Sequence, residues 1–366
     1  MRVDSGNREA AEGLHGYLVE GHWREGGLIG PDSGIRFNYR IGRFVKSYLS
    51  RFPWRDELYY LQAQGYWILA NWALADLGSH DGARAIAVAA TDRILAEQRP
   101  DGAWAYPHPE WRGRVTTYEG AWASLGLLET YRRTSQPRYL AGALRWHEFA
   151  ESRIGYQDVR GGRAANYFAG RTGSAVPNAT TDAVRFLAEV AQATEDINYT
   201  ARAESLLAFL AEVQLPTGEL PYEVTATAPA RLPHYQCFQY NAFECLGLLR
   251  YEELTGDRRA SPIVEGLLRF VATGVAPDGS ARYQCGRSRR SVTYHAAALA
   301  ASLTRAERLG YAVDPALARR LYAHVRGLQR DDGSFPHSRG DYVVASDRRA
   351  YPRNLAMILS HLLEPR

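Results

Sequence analysis

Lysine is nearly missing from this chain. Lys46 is the only one, and every other basic side chain is arginine. A lysine nucleophile or Schiff base therefore has a single candidate. Cysteine is also scarce: Cys237, Cys245 and Cys285 show no Cys-x-x-Cys spacing and do not make a disulfide framework. No apolar run is long enough to span a bilayer. The opening residues Met1-Arg2-Val3-Asp4-Ser5-Gly6-Asn7 are polar and lack the apolar core of a signal peptide. A cytoplasmic location is expected on those grounds. The formal charge of +4 is spread along the chain, so no nucleic-acid-binding stripe is expected. There is no Gly-x-Gly-x-x-Gly or phosphate-cradling loop, no His-Glu-x-x-His, and no Gly-x-Ser-x-Gly elbow. No cofactor or metal is expected. The set with zinc-like residue types is Cys285, His295 and a carboxylate.

Aromatic residues are plentiful, at 11% of the chain, and 23 are tyrosine. A phenol has an apolar ring and a wet hydroxyl, which suits the wall of a cavity that holds a polar ligand. It also suits the core and loop anchors of a large helical protein.

A turn recurs along the sequence. It reads Gln98-Arg99-Pro100-Asp101-Gly102-Ala103-Trp104, then Gln214-Leu215-Pro216-Thr217-Gly218-Glu219-Leu220. It returns as Ala276-Pro277-Asp278-Gly279-Ser280 and as Gln329-Arg330-Asp331-Asp332-Gly333-Ser334-Phe335. The period is about sixty residues, in the range of stacked repeat architectures. Gly161-Gly162 and Gly26-Gly27 are weaker marks near the remaining positions. Asp-Gly after a helix is a stop signal, because glycine takes the left-handed conformation and aspartate holds the turn. After each turn comes a helix rich in small and apolar residues: Leu61 to Leu74, Gly120 to Leu128, Thr181 to Val190, Ala242 to Leu249, Ala296 to Leu303 and Leu355 to Leu363. Such helices are packed on all sides. More amphipathic segments lie between them, as at Asp81 to Glu97, Arg138 to Ser152 and Pro315 to Leu328. Six inner and six outer helices predict an all-α fold, an (α/α)6 toroid around a central cavity. It is expected as one domain over 1–366, with an N-terminal segment and first outer helix over 1–57 and repeated hairpins over 58–366. An open superhelix is the alternative. Tyr342-Val343-Val344 and Leu220 to Val224 read as short strands within loops.

In such a ring the loops leading into the inner helices line one rim, and loops carry function more often than walls do. The helix starts bring together Tyr59-Tyr60 with Gln62 and Gln64; His108-Pro109-Glu110-Trp111-Arg112, then Thr117-Tyr118-Glu119 with Trp122; Asn178, Thr181, Asp182 and Arg185; His234-Tyr235-Gln236, then Gln239-Tyr240-Asn241 with Glu244; Arg287, Arg289 and Arg290 with Tyr294-His295; and Arg348, Arg349, Tyr351, Arg353 and Asn354. Singly, Thr181, Asp182 and Asn178 are good helix caps and a preceding tyrosine is a staple. Collectively the pattern asks for more than capping does. Glu119, Asp182, Glu244, Tyr294 and His295 are candidates for proton transfer. Tyr60, Trp104, Tyr118, Trp122, Asn178, Tyr240, Asn241, Arg290, Tyr351 and Arg353 are candidates for binding substrate, with Arg290 and Arg353 suited to an acid group through bidentate contacts.

The stretch Tyr240-Asn241-Ala242-Phe243-Glu244-Cys245-Leu246-Gly247-Leu248-Leu249, followed by Leu254-Thr255-Gly256-Asp257, resembles a hairpin of six-hairpin carbohydrate-active proteins. It is most similar to the C-terminal catalytic domain of D-glucuronyl C5-epimerases, as is Thr117-Tyr118-Glu119-Gly120-Ala121-Trp122 to Tyr131. The Gln-x-x-Asp-Gly-x-aromatic turn at Gln98, one residue longer at Gln329, resembles the repeat of triterpene cyclases and prenyltransferase β subunits. The resemblance covers about residues 60–366. It lacks the cyclases' Asp-x-Asp-Asp acid, the prenyltransferases' zinc pattern and the epimerases' β-rich N-terminal part. The epimerase resemblance implies a glycan groove and tyrosines that move a proton on the carbon beside a uronate carboxyl, placed by position at Tyr240, Tyr294 and Tyr351. The leading expectation is thus an enzyme acting on an acidic glycan or glycoside by epimerisation, elimination or hydrolysis. The partner would be a small-molecule or oligosaccharide substrate. The alternatives are an isoprenoid-handling enzyme, with a cavity of Trp and Phe below a single acid, and a non-catalytic scaffold with an open solenoid and no cavity.

Overall fold

A computed structural model of the chain describes residues 3–33, 57–225, 237–283, 285, 291–338 and 347–365. Among them are twelve α-helices in strict alternation. The outer ones are α1 (Ser5–Gly21), α3 (Ala83–Ala96), α5 (Pro137–Phe149), α7 (Ala203–Val213), α9 (Ser261–Thr273) and α11 (Pro315–Arg326). The inner ones are α2 (Leu61–Asp76), α4 (Thr117–Thr134), α6 (Pro177–Thr194), α8 (Cys237–Thr255), α10 (Thr293–Arg308) and α12 (Pro352–Leu362). Each inner helix packs on the next, and α12 packs back on α2, so the ring is closed. The architecture is the predicted (α/α)6 toroid, and closure removes the open superhelix. Five of the six predicted inner segments lie within inner helices, and the sixth, Leu355 to Leu363, runs one residue past the end of α12. No helix among the described residues is long and apolar enough to cross a membrane.

The recurring turn proves to be a clip between neighbouring hairpins. The glycines Gly102, Gly218, Gly279 and Gly333 all have φ between 81° and 90°, the left-handed region that glycine enters without strain. The turn lies directly on the backbone of the next outer helix. A Cβ on Gly333 would stand 2.2 Å from the carbonyl oxygen of Gly13 in α1. The glutamine that opens the motif bonds both sides of the joint. Gln98 Nε2 donates to the carbonyls of Gly102 and Gly142, Gln214 Nε2 to Gly218 and Ile263, and Gln329 Nε2 to Gly333 and Ala10. The last of these joins the final repeat to the first helix, so the same motif that spaces the repeats also closes the ring.

The two weaker glycine marks are different objects. Glu25-Gly26 and Arg160-Gly161 have positive φ at both residues, as two-residue hairpin turns require. They form the tips of antiparallel pairs, β1 (Trp23–Arg24) with β2 (Gly27–Leu28) and β3 (Tyr156–Val159) with β4 (Gly162–Ala165). The expected strand at Leu220 to Val224 reduces to one bridge, Val224 to Ala175. Tyr342-Val343-Val344 lies outside the described residues.

Inside the ring, small residues let the inner helices approach closely. Gly65 of α2 sits against the Trp122 carbonyl of α4, where a Cβ would stand 2.5 Å from that oxygen. Toward the C-terminal ends of the inner helices, a layer of buried ion pairs spans α4, α6, α8 and α10. Glu189 receives Arg250 at 2.9 Å and Arg132 at 3.1 Å; Glu253 receives Arg250 at 2.8 Å and Arg308 at 2.7 Å; Arg305 meets Glu364 at 2.5 Å. Burial raises the Glu189 carboxyl, but Arg250 and Arg132 outweigh it and bring it down to about 2. One end of the toroid is therefore sealed with compensated charge.

Candidate functional site

The opposite end holds a cavity of about 550 Å³, within the size range of small-molecule sites. All six inner helices contribute to it from their N-terminal turns: Gln62, Tyr118, Asn178, Gln239 with Tyr240 and Phe243, Tyr294, and Arg353 with Asn354. The loops between hairpins add Tyr106, His108, Trp111, Tyr167, Phe168, Arg171, Tyr222, Glu223 and His337. The wall mixes aromatic faces with amides. Gln62 Nε2 donates to the Tyr118 hydroxyl, and the Tyr294 hydroxyl donates to Gln239 Oε1 at 3.5 Å. Tyr106, His108 and Trp111 stack beside one another at one edge, with His108 and Trp111 centroids 4.6 Å apart. Trp111 keeps 39% of its surface exposed.

Of the residues proposed from sequence, Tyr118, Asn178, Tyr240, Tyr294 and Arg353 line this cavity. Asp182 lies one helical turn beyond Asn178 on α6, and Glu244 one turn beyond Tyr240 on α8, which places each on the cavity face of its helix. Both are buried. Burial pushes the Asp182 carboxyl up to about 8, with Arg185 opposing only partly. Burial raises Glu244 well above the usual carboxylate range, and the charges of Asp182 and Glu219 raise it further. Asp182 Oδ2 and Glu244 Oε2 have no hydrogen-bond partner among the described residues. Beneath them Tyr66 stacks on Trp122 at 3.8 Å, His361 meets Tyr66 edge-on, and the Arg185 guanidinium lies over Trp122 at 5.0 Å. Trp122 is thus a floor residue under the cavity.

Glu119 is held differently. Thr116 caps α4 by accepting from the Glu119 N–H at 3.2 Å, the first half of a capping box. The glutamate does not return the bond to its own helix. Its Oε2 accepts from the N–H groups of Leu61 at 2.6 Å and Gln62 at 3.2 Å, and so caps α2 next door. Tyr60, the residue preceding α2, supplies no side-chain cap. Burial pushes the Glu119 carboxyl up to about 7, against Arg353 and the two backbone bonds. Arg353 is itself committed. It pairs bidentately with the buried Asp32, Nε to Oδ2 at 2.7 Å and Nη2 to Oδ1 at 2.9 Å, and lies over the Tyr60 ring at 4.4 Å. Asp32 carries no motif, and only its contact with residue 353, from the far end of the chain, reveals it.

The other candidates are distributed around the cavity rather than on it. Trp104 packs on Trp146, and its indole N–H donates to the Ile94 carbonyl at 2.9 Å. Asn241 holds the repeat turn, accepting from the Leu220 N–H at 2.7 Å. The Tyr351 hydroxyl donates to Asp347 at 2.8 Å. His295 is stacked on Tyr283 behind Tyr294, and burial brings its imidazole down to about 3, so it is neutral. Cys285 contacts Cys237 and Glu219 in place of His295. Arg290 and the run His234-Tyr235-Gln236 lie outside the described residues. His108 and Trp111, read from sequence with the second helix start, also lie on this wall. Sequence reasoning missed Tyr106, Tyr167 and Phe168, because they sit in the loops between hairpins. The run Tyr106-Pro107-His108, which begins two residues ahead of that helix start's first residue, is the signal that could have found Tyr106.

No protein-family model matches the chain, and a comparison with curated proteins finds no significant match. Solved structures do match. Cellobiose 2-epimerase from Bacillus thermoamylovorans B4167 superposes with a TM-score of 0.74 at 15% identity, covering 97% of this chain and 98% of that one. A possible member of the GH105 family from Klebsiella pneumoniae subsp. pneumoniae MGH 78578 gives 0.71 at 13% identity, covering 100% and 93%. A family 76 glycoside hydrolase from a bovine Bacteroides thetaiotaomicron strain gives 0.69 at 12% identity, covering 98% and 77%. At these identities the likeness establishes the architecture: the chain has the α/α-toroid fold that these structures share.

Proposed function

We propose that the chain is a glycan-active enzyme that hydrolyses an acidic glycoside in this cavity, with Asp182 as the general acid. The observation that carries the reading is the pair of buried carboxyls, Asp182 and Glu244, each with one oxygen unpartnered among the described residues and one turn below a cavity walled by amides and aromatic rings. Amides and phenols read sugar hydroxyls, and aromatic faces cover the apolar face of the ring. The solved structures of like fold are described as a glycoside hydrolase, a possible GH105 member and a sugar epimerase, which agrees with a glycan ligand.

The protonation states choose among reactions. Elimination and epimerisation begin when a base removes a carbon-bound proton. Burial pushes Asp182 up to about 8, raises Glu244 well above the usual carboxylate range, brings His295 down to about 3, and pushes the Tyr118 and Tyr240 hydroxyls well above their ordinary value. These buried acids favour acid-first chemistry, with His108, His337 and Glu223 on the wall as further proton carriers. Asp182 gives its proton to the glycosidic oxygen, the bond to the anomeric carbon breaks, and water adds there, returning a proton to the ionised carboxylate. The acidic character of the substrate is supported by six helix N-termini converging on the cavity and by Arg171 on its wall. Arg353 is neutralised by Asp32 and serves better to anchor the mouth. An isoprenoid ligand fits less well, since amides are interleaved with the aromatics. A bare scaffold predicts an open solenoid, and the ring is closed.

The test is proton NMR of uronate-containing and neutral oligosaccharides incubated with the protein in deuterated water at about pH 6. New reducing ends without deuterium on carbon are expected from uronates, flat in rate up to about pH 8 and falling above it, as the carboxyl at about 8 ionises. Asp182→Asn should lower kcat by at least about a hundredfold. Deuterium incorporation or an alkene signal would overturn the acid-first assignment, and no turnover of any glycan would overturn the function.

A further inference from the structure

The repeat turn ending α7, the first residue of α8 and the chain preceding α10 bring Glu219, Cys237 and Cys285 together. Their Sγ and carboxylate oxygen atoms all lie within 4.8 Å of one another. Cys237 Sγ is 2.6 Å from Cys285 Sγ, and Cys285 Sγ is 3.5 Å from Glu219 Oε1. The Cys285 N–H donates to Cys237 Sγ at 2.9 Å, a bond that favours a charged sulfur. Cys237 and Glu219 are buried, Cys285 partly so.

We propose that Glu219, Cys237 and Cys285 bind a thiophilic divalent cation, zinc being the natural occupant. Two thiolates and a carboxylate are a donor set suited to zinc, and three protein ligands leave a fourth position for water. Around a tetrahedral zinc with Zn–S near 2.3 Å, two sulfurs stand about 3.8 Å apart. The pair therefore opens by about an ångström on binding, within reach of side-chain rotation. A disulfide is the competing fate of two touching thiols; Glu219 Oε1, 3.5 Å from Cys285 Sγ, adds the third donor that a metal uses. Binding releases the two thiol protons to solvent, and no redox partner is needed. The site needs no glycan in the cavity, although a cation on Glu219 would offset the charge that helps raise Glu244. It ties α8 and the approach to α10 to the α7 turn, three segments joined by long connections.

The experiment uses the full chain, reduced and then freed of metal by chelation. Cobalt(II) is titrated in first, followed by zinc in competition with a chromophoric chelator. The expected result is one cobalt per chain with thiolate-to-metal charge-transfer absorption, displaced by one zinc. Cys285→Ser should abolish that absorption, and Glu219→Gln should weaken zinc binding by about tenfold or more. Thiol titration of the unfolded, metal-free wild type without reductant should count three cysteines per chain. No cobalt absorption in the wild type would overturn the site. So would a count of one thiol that rises to three only on reduction, which assigns the pair to a disulfide with Cys245 as the remaining thiol.

Discussion

At the residue scale the most instructive side chain is Glu119. Its motif, Thr116-Thr117-Tyr118-Glu119, has the spacing of a capping box but forms only the first half of one, and its carboxylate is also a candidate for proton transfer. The structure gives the carboxylate to the amides of Leu61 and Gln62, so we assign it the positioning of α2 and, through it, of Gln62 on the cavity wall. Glu119→Gln keeps an amide oxygen for those two donors, whereas Glu119→Ala leaves them bare. Alanine should therefore cost about 1–2 kcal/mol of stability and glutamine well under half of that, as chemical denaturation will measure. If Glu119 positions rather than reacts, glutamine should retain most of kcat, with the loss falling on KM. A glutamine variant that is fully stable yet inactive would return Glu119 to proton transfer. Asp32 teaches the reverse lesson. It lies 321 positions from Arg353, and no local signal links them, because the link exists only once the ring has closed.

At the element scale the helices were legible because their cause is local. Apolar and small residues recur at the helical period, and an Asp-Gly turn follows three of the outer helices, α3, α9 and α11. The hairpin tips at Gly26 and Gly161 were misread because a glycine with positive φ looks the same in sequence whether it ends a helix or turns a strand. Tyr106 and the loop at Tyr167-Phe168 were not legible as wall, since loops take their course from what they pack on. The clip turns give the clearest element-scale prediction. Gly333→Ala places a Cβ on the Gly13 backbone and a left-handed strain on alanine. It should destabilise the protein by more than about 2 kcal/mol, read as a lowered denaturation midpoint. Gly310→Ala, also left-handed at φ 85° but with open space around its Cβ, should cost only the conformational part, about 1–2 kcal/mol. Equal losses at the two positions would show that the turn does not bear on α1.

At the scale of the whole molecule the two ends of the toroid carry opposite electrostatic designs. The sealed end pairs its carboxylates, and Glu189 ionises at about 2. The open end buries carboxyls that release their protons late, with Glu119 pushed up to about 7 and Asp182 to about 8. The linkage follows. An acid whose folded pKa is raised holds its proton after the unfolded chain has released it, so its contribution to stability falls as pH rises from the unfolded toward the folded value. His361 and His295, brought down to about 3 by burial, act the other way, and their effect is complete above the ordinary histidine value near 6.5. Between about pH 6.5 and 8 the raised carboxyls act alone. Tm should therefore fall across that window, and Asp182→Asn should remove much of the fall. A Tm that is flat or rising there in the wild type would mean that Asp182 and Glu119 are already ionised.

The account rests centrally on the cavity at the N-terminal ends of the inner helices being where a glycan binds. The most direct measurement is calorimetric titration of a uronate-containing oligosaccharide into Asp182→Asn, which should bind without turnover. The same titration is then repeated with Asn178→Ala and Tyr118→Ala added, two wall residues remote from the sealed end. Saturable binding to Asp182→Asn, weakened by about tenfold or more when the wall residues are removed, is the predicted result. Undiminished binding in a folded wall variant, or no binding to the parent at all, would contradict it.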